Sequence, residues 1–211
     1  MDKAVEDGQQ SDKHVSLQGE IDRLESVLET ENLLCDAVKE EIKQLVSYFN
    51  LETDIVIASK KHVTNQDILE YTLEDVKKAW KLRSSDFRIL AAIILQFVDL
   101  EPNPSYATVL DSLYLWIEVA SDVPDVLKDF EANQFNTFNL YHQMYGDKWQ
   151  AKLQEELLQI KTTTEELIAK TPIKMILFQL CRQWWGRVPL PLPPIETLKA
   201  IKKSSSNKSK K

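Results

Sequence analysis

LQGEIDRLESVLETENLLCDAVKEEIKQLVSYF, residues 17–49, places apolar side chains at alternating steps of four and three: Leu17, Ile21, Leu24, Leu28, Cys35, Val38, Ile42, Leu45 and Phe49. Glu31 is the single polar residue on this seam. A stripe that repeats every 3.5 residues keeps one narrow face of a helix turned towards another helix. The stretch therefore predicts a continuous coiled-coil-like helix over 15–50, with Glu31 fixing the register at some cost in stability. Leu17, Ile21, Leu24, Leu28, Val38, Ile42, Leu45 and Phe49 are the candidate partner-binding residues, and the implied partner is a protein, either a second copy or a different chain, held through a coiled coil.

Upstream of the seam, residues 1–14 (MDKAVEDGQQSDKH) are polar and aperiodic and read as a disordered N-terminus. They lack the charged-then-apolar order of a secretory signal and the acid-poor character of a transit peptide. Downstream, residues 50–63 break the seam, and Ile55-Val56-Ile57 reads as a short extended piece or a loop. Residues 64–203 read as a helical bundle domain. Thr72 and Asp75 stand at the spacing of a capping box. Phe87–Leu100 is apolar nearly all round, as expected of a helix at the centre of a bundle. Asn103-Pro104 and Thr171-Pro172 open helices by a cap and a proline at the first helical position. Pro124 restarts the helix that begins at Pro104, Gly146 closes the helix from Phe135 to Tyr145, and a long polar helix runs from Asp147 towards Lys170. After Trp185, VPLPLPP forms a proline-rich strap at 188–194, and 204–211 is a basic disordered tail. The fold class is all-α, a multi-helix bundle with an N-terminal coiled-coil-like helix and a proline-rich C-terminal strap.

Composition agrees with this. Only four of 211 residues are glycine, which disfavours folds built on many left-handed turns. Gly8, Gly19, Gly146 and Gly186 are also too far apart for a phosphate-binding loop or a dinucleotide fingerprint. The longest apolar run, Ile89–Leu95, is much shorter than the roughly 20 residues of a membrane span, so no transmembrane segment is expected. Cys35 and Cys181 make no disulfide framework, and the expected compartment is the cytoplasm, with the nucleus as the alternative. The net charge of −7 includes six lysines and no acid in 199–211, leaving −13 on residues 1–198. An acidic body disfavours nucleic acid as a ligand except through the basic tail.

Two constellations carry potential chemistry. Asp111, Glu118, Asp122, Asp125 and Asp129 would line one face of a continuous helix, and Asp125-Val-Leu-Lys-Asp129 sets two carboxylates one turn apart. Carboxylates at that spacing suit Mg²⁺ held jointly with a diphosphate, which makes Asp122, Asp125 and Asp129 candidate metal ligands and Mg²⁺ the one candidate cofactor. The bland account is that these acids cap the helix that Pro124 restarts. Trp184, Trp185 and Arg187 form a candidate aromatic anchor, because Trp and Arg are enriched where interfaces are strongest. His14, His62 and His142 lack metal-ligand spacing, and Cys181 sits among apolar neighbours where a thiol is inert. No catalytic residue is assigned. The leading functional reading is a non-enzymatic helical interaction or assembly subunit using the 17–49 seam. The alternatives are a Mg²⁺-dependent all-α enzyme or diphosphate-binding bundle using the aspartates, and a factor tethered to anionic membrane or nucleic acid by its lysine tail.

Overall fold

The computed structural model describes residues 16–65, 69–100, 104–172 and 174–193, together with Val5. The N-terminal segment up to 14, the end of the proline-rich stretch at Pro194 and the lysine tail lie outside the described residues, apart from Val5. Every regular element among the described residues is helical, so the chain is an all-α, multi-helix protein. No helix among them is long and apolar enough to cross a membrane. The chain divides into two compact units, Met1–Pro104 and Ser105–Lys211.

The first unit contains α1 (Gln18–Thr30), α2 (Asp36–Asn65), α3 (Leu73–Arg83) and α4 (Ser85–Phe97), with α2 packed against both α3 and α4. Thr72 opens α3 through the capping box its sequence predicts, its side chain accepting from the Asp75 amide while the Asp75 carboxylate accepts from the Thr72 amide. Val38, Ile42, Phe49, Ile55 and Val56 of α2 and Val76, Ala79 and Trp80 of α3 are buried. The Arg88 guanidinium of α4 reaches Glu41 of α2 at 2.8 Å and also donates to the Lys81 carbonyl, tying α4 to α2 and to the end of α3.

In the second unit, α5 (Pro104–Asp122), α6 (Val126–Ala132) and α7 (Thr137–Tyr145) lead through a 3₁₀ turn (Gly146–Lys148) into α8 (Trp149–Ala169) and α9 (Lys174–Trp185). Helix α8 packs on both α7 and α9. Aromatic rings dominate the interior, with Phe138 edge-on to Trp149 at 6.3 Å and Trp116 edge-on to Trp185 at 6.4 Å. Gly146 takes φ 51° after α7, a conformation that favours glycine. Beyond α9, Val188 and Leu192 are buried, and the Leu192 backbone accepts from Gln150 and donates to Gln154, both on α8.

Three expectations need correction. The 17–49 stretch is not one helix: α1 ends at Thr30 and α2 begins at Asp36. Glu31 is the C-cap of α1, and Asn32 adopts φ 57° while its amide bonds the Glu29 carbonyl and the Leu33 amide bonds the Leu28 carbonyl. That pair of bonds is the Schellman stop, built here on asparagine, the non-glycine residue that tolerates a left-handed backbone best. Secondly, residues 50–63 are helical throughout, so α2 bridges the interval read as a break and the division into units falls after Pro104. Ile55 and Val56 are 1% and 2% exposed, and that burial outweighs the modest helix penalty of β-branched residues. Thirdly, α4 is not central, because Leu90, Ile94 and Phe97 stand outside the core.

Candidate functional site

The aspartate stripe is bent by Pro124, as α5 stops at Asp122 and α6 starts at Val126. Asp122 and Asp129 nevertheless turn inward to the same place, the start of α7. Asp122 Oδ2 accepts from the Thr137 amide at 2.9 Å, and Asp129 Oδ2 accepts from Asn136 Nδ2 at 2.9 Å. The same Asn136 Nδ2 donates to the Asp122 carbonyl, while Asn136 Oδ1 caps α7 by accepting from the Phe138 amide. Asn139 closes the cluster by donating to the Val126 carbonyl. Asp122, Asp129, Asn136, Thr137 and Asn139 are all buried.

This arrangement is what a buried helix start requires. The first amides of a helix lack partners and carry partial positive charge, so acceptors, and carboxylates best of all, are stabilising there. Asp122 thus caps α7 from a distance of fifteen residues, while the N-cap of α6 is Asp125, which makes no side-chain capping bond. Among the described residues, no group of three or more His, Cys, Asp or Glu side chains is placed to hold a metal ion. Asp122 and Asp129 thus act as hydrogen-bond acceptors at the joint between α5, α6 and α7.

Burial pushes the Asp129 carboxyl up from its ordinary 3.8 to about 6, with Asp122 and Asp125 adding to the rise and the Asn136 hydrogen bond and Lys128 opposing it. A group whose folded pKa lies above its unfolded one binds its proton more tightly when folded, so its contribution to stability is largest below pH 4 and is lost as pH rises towards 6. The shift corresponds to at most about 3 kcal/mol. Asp129→Asn is therefore expected to gain stability relative to the parent chain between pH 4 and pH 7, read as the difference between their urea unfolding curves at each pH. A difference independent of pH would show that Asp129 ionises as freely in the fold as outside it.

The aromatic anchor separates into two side chains with different surroundings. Trp185 is buried, edge-on to Trp116 and Phe178, with Lys161 Nζ 5.2 Å from its ring centroid. Trp184 is half-buried and stacked by its own neighbour, the Arg187 guanidinium lying 4.0 Å from the ring centroid. Cys181 is fully buried, and that burial pushes its thiol up to about 11, away from the thiolate a nucleophile needs.

Of the seam residues, Leu17, Ile21, Leu28, Val38, Ile42 and Phe49 are buried within the chain, and Leu24, Cys35 and Leu45 are half-buried. They form interior rather than a free stripe. The free apolar stripe lies on α4 and the turn after it: Leu90 is 55% exposed, Ile94 53%, Phe97 82%, Val98 50% and Leu100 62%. Leu90, Ile94 and Phe97 recur at the four-and-three spacing that keeps them on one face. The inner face of α4 holds Ser85 and Ile89, with Arg88 turned to Glu41. A second set, Met175, Ile176, Phe178 and Leu180, is exposed on α9. Sequence periodicity misses the α4 surface because a helix apolar on every side carries no mark of which side the core takes.

The chain matches no protein-family model, no curated protein and no solved structure.

Proposed function

We propose that the protein is a non-enzymatic helical interaction subunit and that its contact surface is the outer face of α4, Leu90, Ile94 and Phe97, continued by Val98 and Leu100. The observation that carries this reading is the exposure of five large apolar side chains within eleven consecutive residues. Folded chains expose single apolar residues everywhere, but a contiguous set of this size on one helix is characteristic of a surface that another protein covers. The seam proposed from sequence is a weaker candidate, because covering it with a partner would require most of its residues to leave the interior. The proline-rich strap expected at 188–194 fits the same reading, since the Leu192 backbone within it bonds Gln150 and Gln154 of α8.

Site-specific photo-crosslinking tests the proposal. A benzophenone amino acid in place of Ile94 is expected to yield a discrete adduct in cells expressing the chain, while the same group in place of Glu155, exposed on α8, yields none. Equal labelling from both positions, or from neither, would count against a protein contact on α4.

A further inference from the structure

Resting on the α4 surface just proposed, we infer that its occupant is a partner segment folded as a basic amphipathic helix, with apolar anchors along one face and Lys or Arg clustered towards one end. The argument is charge complementarity around the apolar stripe. At the N-terminal end of α4, exposed Asp86 stands one turn before Leu90, with Lys81 and Arg83 in the last turn of α3 just before it. At the C-terminal end, exposed Asp99 follows Val98 in the turn that closes the helix. The Gln96 side-chain amide donates to the Asn32 carbonyl at 2.7 Å, which sets the end of α1, with exposed Glu29 and Glu31, beside the last turn of α4. The one cation on α4, Arg88, points the other way, into its ion pair with Glu41.

The stripe is thus apolar along its length, mixed in charge at its N-terminal end and acidic at its C-terminal end, over about 20 Å from Asp86 to Asp99 at 1.5 Å per residue. A helix of about four turns with cations near the end that meets Asp99, Glu29 and Glu31 matches it in length, apolarity and sign. A second copy of this chain does not. Residues 1–104 hold twenty-one Asp and Glu against twelve Lys and Arg, so two copies repel through their net charge, and a parallel pairing through α4 also sets acid opposite acid. An anionic lipid surface is opposed by the same charges.

Fluorescence anisotropy with two labelled probes tests this on the full chain: an amphipathic helical peptide of about fourteen residues built from Leu and Lys, and its counterpart with Glu for every Lys. The Leu/Lys peptide is expected to bind at least about tenfold more tightly, with an advantage that shrinks as salt is raised. Ile94→Glu is expected to abolish that binding without altering thermal unfolding, since Ile94 lies outside the core. Glu29→Lys with Glu31→Lys and Asp99→Asn is expected to remove the preference or invert it.

Equal binding of both peptides, lost in Ile94→Glu, would overturn the charge inference while the α4 contact reading stands. Binding of the Leu/Lys peptide that survives Ile94→Glu would overturn both. A concentration-dependent dimer abolished by Ile94→Glu would make the second copy the occupant, and Leu/Lys binding that appears only after removal of residues 194–211 would make it the chain's own basic tail. Either result replaces the partner inferred here.

Discussion

Asn136→Ala is expected to lower the unfolding free energy by about 3 to 4 kcal/mol at neutral pH, the sum of a lost N-cap of about 1 kcal/mol and a lost hydrogen bond to a buried carboxylate of about 2 to 3 kcal/mol. The side chain is fully buried and makes three bonds at once: to the Asp122 carbonyl, to the Asp129 carboxylate and from the Phe138 amide. Alanine removes all three and leaves Asp129 buried with its charge less compensated, which costs more than the absent bond itself. The effect should therefore depend on pH. Without the Asn136 donor the Asp129 carboxyl moves further above about 6, and below that range it protonates and the penalty shrinks. Urea unfolding of Asn136→Ala, Asp129→Asn and the double variant at pH 7 isolates the pair. A coupling of about 1 kcal/mol or more is expected; strict additivity would mean that the two side chains stabilise the joint independently.

This joint also marks the limit of what the sequence discloses. Local signals read correctly: Thr72 with Asp75 closes its capping box, Pro104 begins α5, Pro124 separates α5 from α6, and Gly146 takes the positive φ that ends α7. Each depends on residues within one turn of each other. Asp122 and Thr137 are fifteen residues apart, and nothing in the spacing of the acids reveals that Asp122 reaches the Thr137 amide and Asp129 the Asn136 side chain.

The helix stops follow the same logic. Scarce glycine suggests few left-handed turns, yet Asn32, Asp99 and Asn133 occupy that conformation at φ 57°, 53° and 52°. Each closes a helix by the same pair of backbone bonds, so short polar residues make three of the left-handed stops among the described residues and Gly146 another. The seam conceals one of them because Leu33 and Leu34, after the stop, continue the apolar run, and because Glu31 reads equally well as a polar register residue. Which face of α4 is outward is likewise set by the partner it meets in the fold. The inner contact rests on Ser85, Arg88 and Ile89, two of which are polar.

Ile42→Glu is expected to unfold the first unit, and Leu24→Glu alone to have a much smaller effect. Ile42 is 3% exposed on α2, among the buried residues of a helix that packs on both α3 and α4, whereas Leu24 on α1 is half-buried. Glutamate at position 42 forfeits about 2 to 3 kcal/mol of apolar burial and adds a desolvation penalty of several kcal/mol for an unpaired charge. Together these rival the total stability of a domain of this size, about 5 to 15 kcal/mol. Helices α1 to α4 hold about half of the helical residues, so circular dichroism should lose about half of its helical signal if the second unit keeps its own fold. Hydrogen exchange locates the loss: protection should vanish in α2 and α3 and persist in α7 and α8, where Phe138, Tyr141, Leu153 and Leu157 form a separate interior. The opposite result, a fully folded Ile42→Glu chain that has lost self-association or a partner, would return the 17–49 stripe to the role of an intermolecular coiled coil. The physical question is what removes the Ile42 side chain from water. In the fold described here its own α2–α3–α4 packing does so, whereas Leu90, Ile94 and Phe97 of the same unit remain exposed to water.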